Sequence, residues 1–80
     1  MAKEQILSHL PGTFYRRPAP DKPPYKEVGD VVAKGDVVGL VEVMKSFHEV
    51  VSEVEGKIVR FLAENEDAVQ AGQPLADVES

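Results

Sequence analysis

The 80-residue chain carries 42% hydrophobic and 29% charged residues, the proportions of a folded domain. At this length only about three fifths of the unfolded surface is buried, too little for a deep catalytic cleft. The absence of cysteine excludes disulfides, zinc ribbons and thiol nucleophiles, and a net charge of −5 argues against a nucleic-acid partner.

Residues 1–7, MAKEQIL, lack the apolar run and small-residue cleavage site of a secretory signal, and no later stretch is long enough to span a bilayer. The chain therefore reads as cytoplasmic, with no membrane partner. Residues 1–7 are expected to be a loose N-terminal tail, with room for one helical turn, and residues 8–80 the domain itself. Thirteen valines and two isoleucines cluster in short runs punctuated by Gly, Pro, Asp and Asn, the pattern of an all-β chain. The predicted strands, in chain order, are Thr13–Arg16, Val31–Val32, Val37–Val43, Phe47–Val54, Lys57–Ala63, Ala68–Val69 and Leu75–Val78. Turn signals fall at Val28-Gly29-Asp30, Lys34-Gly35-Asp36, Glu55-Gly56, Glu64–Asp67 and Ala71–Pro74.

A shift of 37 places Gly29–Glu42 over Glu66–Glu79, with five of the fourteen pairs identical: Asp30/Asp67, Val32/Val69, Gly35/Gly72, Val41/Val78 and Glu42/Glu79. Earlier residues match at a shift of 44, where Gly12-Thr13-Phe14 lies over Gly56-Lys57-Ile58. The difference is a seven-residue insertion in the first half. It falls at about residues 16–24, Arg16-Arg17-Pro18-Ala19-Pro20-Asp21-Lys22-Pro23-Pro24, which holds four of the six prolines and cannot pair within a central sheet. Two similar units, each too small to bury its own apolar face, predict a quasi-twofold β-sandwich in which the halves pack on each other. The symmetry places Met44-Lys45 far from the chain termini. Charge breaks it: residues 1–41 carry six basic and five acidic groups (+1), residues 42–80 three and nine (−6). A solvated acidic face and an acidic docking face are both open readings.

One connection breaks the local rule. Between the runs ending at Val43 and starting at Phe47 there is room only for a tight turn centred on Met44-Lys45. A two-residue type I′ turn needs positive φ at both central positions and ordinarily uses Asn-Gly or Asp-Gly. An amine on such a tip is almost wholly protonated at pH 7 and a poor catalyst; it suits an acceptor that a partner enzyme acylates. The plainer alternative is a solvated turn lysine.

Leu10–Pro20, Glu27–Asp36, Val41-Glu42-Val43-Met44-Lys45 and Ala71–Leu75 resemble the biotinyl domain of the biotin carboxyl carrier proteins of acetyl-CoA carboxylase, in the biotinyl/lipoyl-attachment family, over about residues 8–79. The resemblance implies a flattened β-barrel, or barrel-sandwich hybrid, of two four-stranded antiparallel sheets. It implies biotin amide-linked to Lys45 within the attachment motif Glu42, Val43, Met44 and Ser46. The insertion becomes the family's thumb, with Arg16, Arg17, Pro18, Ala19, Pro20, Asp21 and Lys22 near the biotin. The family usually has Ala before Met-Lys and Met or Leu after it, where this chain has Val43 and Ser46. Many such subunits carry a long N-terminal region and linker; here the domain begins almost at once, so attachment to the carboxylase is expected to differ.

The implied role is non-catalytic. A biotin protein ligase loads Lys45, and the carried group takes a carboxyl from a biotin carboxylase subunit to a carboxyltransferase subunit acting on an acyl-CoA, with acetyl-CoA placing it in fatty acid biosynthesis. Two rivals stand beside it: a lipoyl carrier, against which Met44 and the thumb count, and an unmodified interaction module. An enzyme fits least. His9 and His48 show no metal-ligand spacing, and Glu64, Glu66 and Asp67 read as turn and solubility residues, not an acid/base dyad. No metal site is expected.

Overall fold

The computed structural model describes residues 3–80. Its eight strands are β1 (Lys3–Leu7), β2 (Gly12–Tyr15), β3 (Val31–Val32), β4 (Val37–Val43), β5 (Ser46–Val51), β6 (Gly56–Phe61), β7 (Asp67–Val69) and β8 (Pro74–Glu79). They form two four-stranded antiparallel sheets, ordered β1-β8-β6-β3 and β5-β4-β2-β7, and no helix occurs among the described residues. The all-β expectation and the two-sheet architecture hold.

The two sheet orders are one order read twice. Shifting β4 forward and β7 back by 37 residues, and β2 forward and β5 back by 44, carries β5-β4-β2-β7 onto β1-β8-β6-β3. Register obeys the same operation: Thr13 faces Glu42 as Lys57 faces Glu79, and Phe47 faces Glu42 as Lys3 faces Glu79. Turn chemistry repeats too. Asp30 and Asp67 each accept a backbone N–H three residues earlier, at 2.9 and 2.8 Å, a side-chain turn that pre-shapes the loop. Ser8 and Ser52, equivalent at 44, are both buried, and each hydroxyl donates to the carbonyl two residues on at 2.6 Å.

The core lies between the sheets and is built from equivalent pairs: Ile6/Val50, Phe14/Ile58, Val32/Val69, Val38/Leu75 and Val41/Val78, all buried. The pair that differs most in volume and shape is Phe14/Ile58. Phe14 replaces the smaller Ile58, and the chain compensates with Gly39 where the other half has Ala76; a Cβ on Gly39 would strike the Phe14 ring. Interiors are packed densely enough that such an exchange has to balance. Gly12 and Gly56 share a second constraint: a Cβ on either would collide with the carbonyl of Glu42 or Glu79 respectively.

The expected N-terminal tail is a correction. Lys3–Leu7 is strand β1, pairing along β8 from Lys3↔Glu79 to Leu7↔Pro74, and Ile6 enters the core. Charged flanks hid it, since Lys3 and Glu4 lower the apparent strand preference, yet an edge strand needs only one buried face. Met1 and Ala2, the rest of that expectation, lie outside the described residues. The predicted Phe47–Val54 starts one residue earlier and ends at Val51, because the Ser52 side chain and the Asp36 carbonyl take over its hydrogen bonding.

Candidate functional site

Strands β4 and β5 pair from Val37↔Val51 to Val43↔Ser46, leaving Met44 and Lys45 as a two-residue loop. Both adopt left-handed φ, 49° and 68°, the pattern of a type I′ turn. Neither residue is glycine, and the left-handed region costs an L-residue about 1–2 kcal/mol. The long hairpin over-determines the turn, so the strain persists. Met44 is 94% exposed, and Lys45 is exposed as well, with no ion pair or hydrogen bond from its amine among the described residues.

Below the turn, side chains alternate. Val41 points into the core, so Leu40 and Glu42 face outward, as do Tyr15 on β2 and Phe47 on β5. The Tyr15 hydroxyl donates to Glu42 Oε1 at 2.9 Å. That hydrogen bond, then partial desolvation and the charges of Glu42 and Glu66, hold the Tyr15 phenol above its ordinary value. Phe47 is 59% exposed, its ring 6.0 Å from that of Tyr15.

The proline-rich insertion folds back over this outer face. Its neck is closed by the Tyr25 N–H donating to the Arg16 carbonyl at 2.9 Å, and its tip by Lys22 N–H to the Ala19 carbonyl at 3.1 Å. The base is clamped from the other half of the molecule. Arg16 N–H donates to Asn65 Oδ1 at 2.8 Å, and the Arg16 guanidinium stacks 4.0 Å above the centre of the Phe61 ring. Between insertion and sheet lies a cavity of about 470 Å³, with Arg17, Pro18, Ala19 and Pro20 on one wall and Tyr15, Leu40 and Phe47 on the other. Its volume falls in the roughly 300–1,000 Å³ range of small-molecule sites. Of the seven thumb residues singled out from sequence, Arg17 to Pro20 line this cavity. Arg16 serves instead as the anchor, and Asp21 and Lys22 stand exposed at the tip.

Val43 and Ser46 close the turn as a facing pair and Glu42 sits one pair below it, so the attachment motif is assembled as one hairpin end. Sequence reasoning missed the Tyr15–Glu42–Phe47 contact, which joins residues 27 apart and becomes visible only once register is known. His48 pairs with Val41 but keeps its side chain exposed. His9 and His48 border the same small crevice of about 30 Å³. No group of three or more metal-ligating side chains occurs among the described residues, and no helix there is long and apolar enough to cross a membrane.

An unpaired, exposed amine on a hairpin whose Phe47 lines a cavity of this size fits a chain that carries a small acid as an amide. Comparison with known proteins bears on which acid. The family described as "Biotin-requiring enzyme" matches residues 4–78. The biotin carboxyl carrier protein of acetyl-CoA carboxylase from Porphyra purpurea is 41% identical over 75 residues, 94% of this chain and 48% of that protein. The chloroplastic biotin carboxyl carrier protein of acetyl-CoA carboxylase 2 from Arabidopsis thaliana is 44% identical over 70 residues, 88% of this chain and 28% of that one. The chain thus spans less than half the length of either relative. Among solved structures, the urea carboxylase of Kluyveromyces lactis superposes with a TM-score of 0.77 at 32% identity, covering 99% of this chain and 6% of that one.

Proposed function

The chain belongs to the biotin-requiring enzyme family, and from that membership we propose that it is a biotin carboxyl carrier domain with Lys45 as the attachment residue. The observation that carries the reading is the Met44-Lys45 turn: two non-glycine residues held at positive φ present an exposed amine where folding alone favours Asn-Gly. A biotin protein ligase supplies the acid as an acyl-adenylate; the Lys45 nitrogen forms the amide, AMP leaves, and a base on the ligase takes the proton. Bound biotin supplies a ring nitrogen that accepts and gives up a carboxyl group.

The domain's own residues do the rest without making further bonds. The stiff hairpin fixes the amine for the ligase, and a folded tip spares the ordering cost a loose peptide would incur. The carrier keeps its cargo at high effective concentration near two successive sites, a biotin carboxylase and a carboxyltransferase acting on an acyl-CoA, with acetyl-CoA the acceptor supported by the relatives. Arg17, Pro18, Ala19 and Pro20 opposite Phe47 would shield the ring of a bound biotin between transfers. We place the reaction in the cytoplasm.

Intact-mass measurement of the natively expressed protein tests the assignment. The expected result is a biotinyl adduct that disappears in Lys45→Arg. A lipoyl adduct or a bare chain from cells with biotin and ligase in excess overturns it, as does a full streptavidin signal from Lys45→Arg.

A further inference from the structure

The two halves of the molecule share a backbone frame but not what stands on its outer face below the hairpin end. Glu42 has its equivalent in Glu79, whose neighbours across the strands are Lys57 and Lys3. At the hairpin end the neighbours of Glu42 are Thr13 and Phe47, and a diagonal third, Tyr15, reaches its carboxylate at 2.9 Å. Across from Asp77, the place that Tyr15 holds across from Leu40 is taken by Arg60, displaced by a bulge between Ile58 and Arg60. The Tyr15–Glu42–Phe47 arrangement is therefore no product of the repeat. It adds nothing to the core, which is complete without these three residues, and it leaves a phenylalanine largely in water.

A glutamate near the end of an edge hairpin ordinarily samples many rotamers. Here one phenol fixes the carboxylate, and the tilted ring contact between Tyr15 and Phe47, 51° between planes, fixes the neighbouring apolar group. We propose that Tyr15 is a positioning residue for recognition of the acceptor: its hydroxyl aims the Glu42 carboxylate and its ring props Phe47, so that the modifying enzyme reads a preformed acidic and aromatic facet beside Lys45. The partner surface this fits offers a hydrogen-bond donor or cation to Glu42 next to an apolar contact for Phe47. The proposal rests on the reading of Lys45 as the acceptor. The raised phenol of Tyr15 agrees with a hydroxyl that keeps its proton and donates it in a hydrogen bond to Glu42.

The test compares wild type with Tyr15→Phe, which removes only the hydroxyl, as substrates for biotin protein ligase. A prefixed side chain saves the partner an ordering cost worth about three- to tenfold in affinity, so the apparent KM for the variant rises by that factor with kcat unchanged and the melting temperature unmoved. Glu42→Gln raises KM similarly and returns the Tyr15 absorbance titration toward the ordinary phenol value. The double variant is no worse than the stronger single one, because the two residues act as a unit. An unchanged KM in Tyr15→Phe, an equal fall in kcat, or additive effects in the double variant would overturn the proposal. A wild-type chain that the ligase leaves unmodified sinks the attachment reading itself; modified wild type with indistinguishable variants sinks only the facet.

Discussion

The hairpin β4–β5 and the strand pair β8–β1 occupy equivalent places in the two halves, with matching register, yet one is closed by the Met44-Lys45 turn and the other pairs the last strand with the first. The closed end carries the strained turn, the exposed Met44 and Phe47, and the thumb with its cavity. At the equivalent place in the other half there is an open groove of about 590 Å³ bordered by Lys3, Gln5, Leu7, Arg60 and Asp77. There Asp77, mostly buried, accepts from Arg60 Nε at 2.6 Å and from Gln5 Nε2 at 3.0 Å. One half thus satisfies its outer face internally with a polar network, whereas the other, beyond the Tyr15–Glu42 hydrogen bond, leaves Met44, Lys45 and Phe47 exposed. The frame repeats in both halves, and on the proposed function only the hairpin end is the one a partner meets.

The sharpest way to break this comparison is at the core pair. Phe14→Ala and Ile58→Ala are expected to cost about 3–5 and 2–5 kcal/mol, a large part of a typical total of about 5–15 kcal/mol, measured from urea midpoints at constant slope. Near-equal losses support a core shared by both halves; a mild loss in one alone would mean that the halves do not depend on each other. Next in size is the turn. Replacing Met44-Lys45 by Asn-Gly removes the left-handed cost and is expected to stabilise the domain by about 1–2 kcal/mol while abolishing modification. No gain in thermal midpoint would show that the tip is unstrained.

The smallest effect concerns acid. Arg60 foremost, then Gln5, hold Asp77 below its ordinary value of 3.8. A carboxylate depressed in the folded state contributes stability above its unfolded-state value and loses it as pH falls through the folded one. Asp77→Asn therefore gives a shallower decline of stability below about pH 4, read from urea midpoints against pH. The equivalent Leu40 does not titrate, so Leu40→Ala leaves the slope of the acid limb as in wild type.

Much of this was legible in the chain. Valine-rich runs between Gly- and Asp-containing turns marked seven strands, because β-branched side chains and side-chain-capped turns act locally. The repeat foretold that Val32 and Val69, or Val41 and Val78, would be equivalent. The eighth strand was missed although its signal was present: at a shift of 44, Gln5-Ile6-Leu7-Ser8 lies over Glu49-Val50-Val51-Ser52, and the shared Ser8/Ser52 turn would have located β1. Composition at Lys3-Glu4 outweighed that pattern, as it does whenever an edge strand has a single buried side chain.

What the chain determined by itself is its periodicity: the alternation that makes strands, the duplication that makes two sheets, and the Met-Lys pair set where a turn calls for Asn-Gly. What tertiary structure decided is adjacency across strands and between halves. Only packing brought Tyr15 to Glu42 and Phe47, set Arg16 on Phe61, matched Gly39 to Phe14, and stood the prolines opposite β5. Strand propensity and turn chemistry act over a few neighbouring residues, whereas register and the approach of two sheets are fixed by a core that exists only when the whole chain has folded.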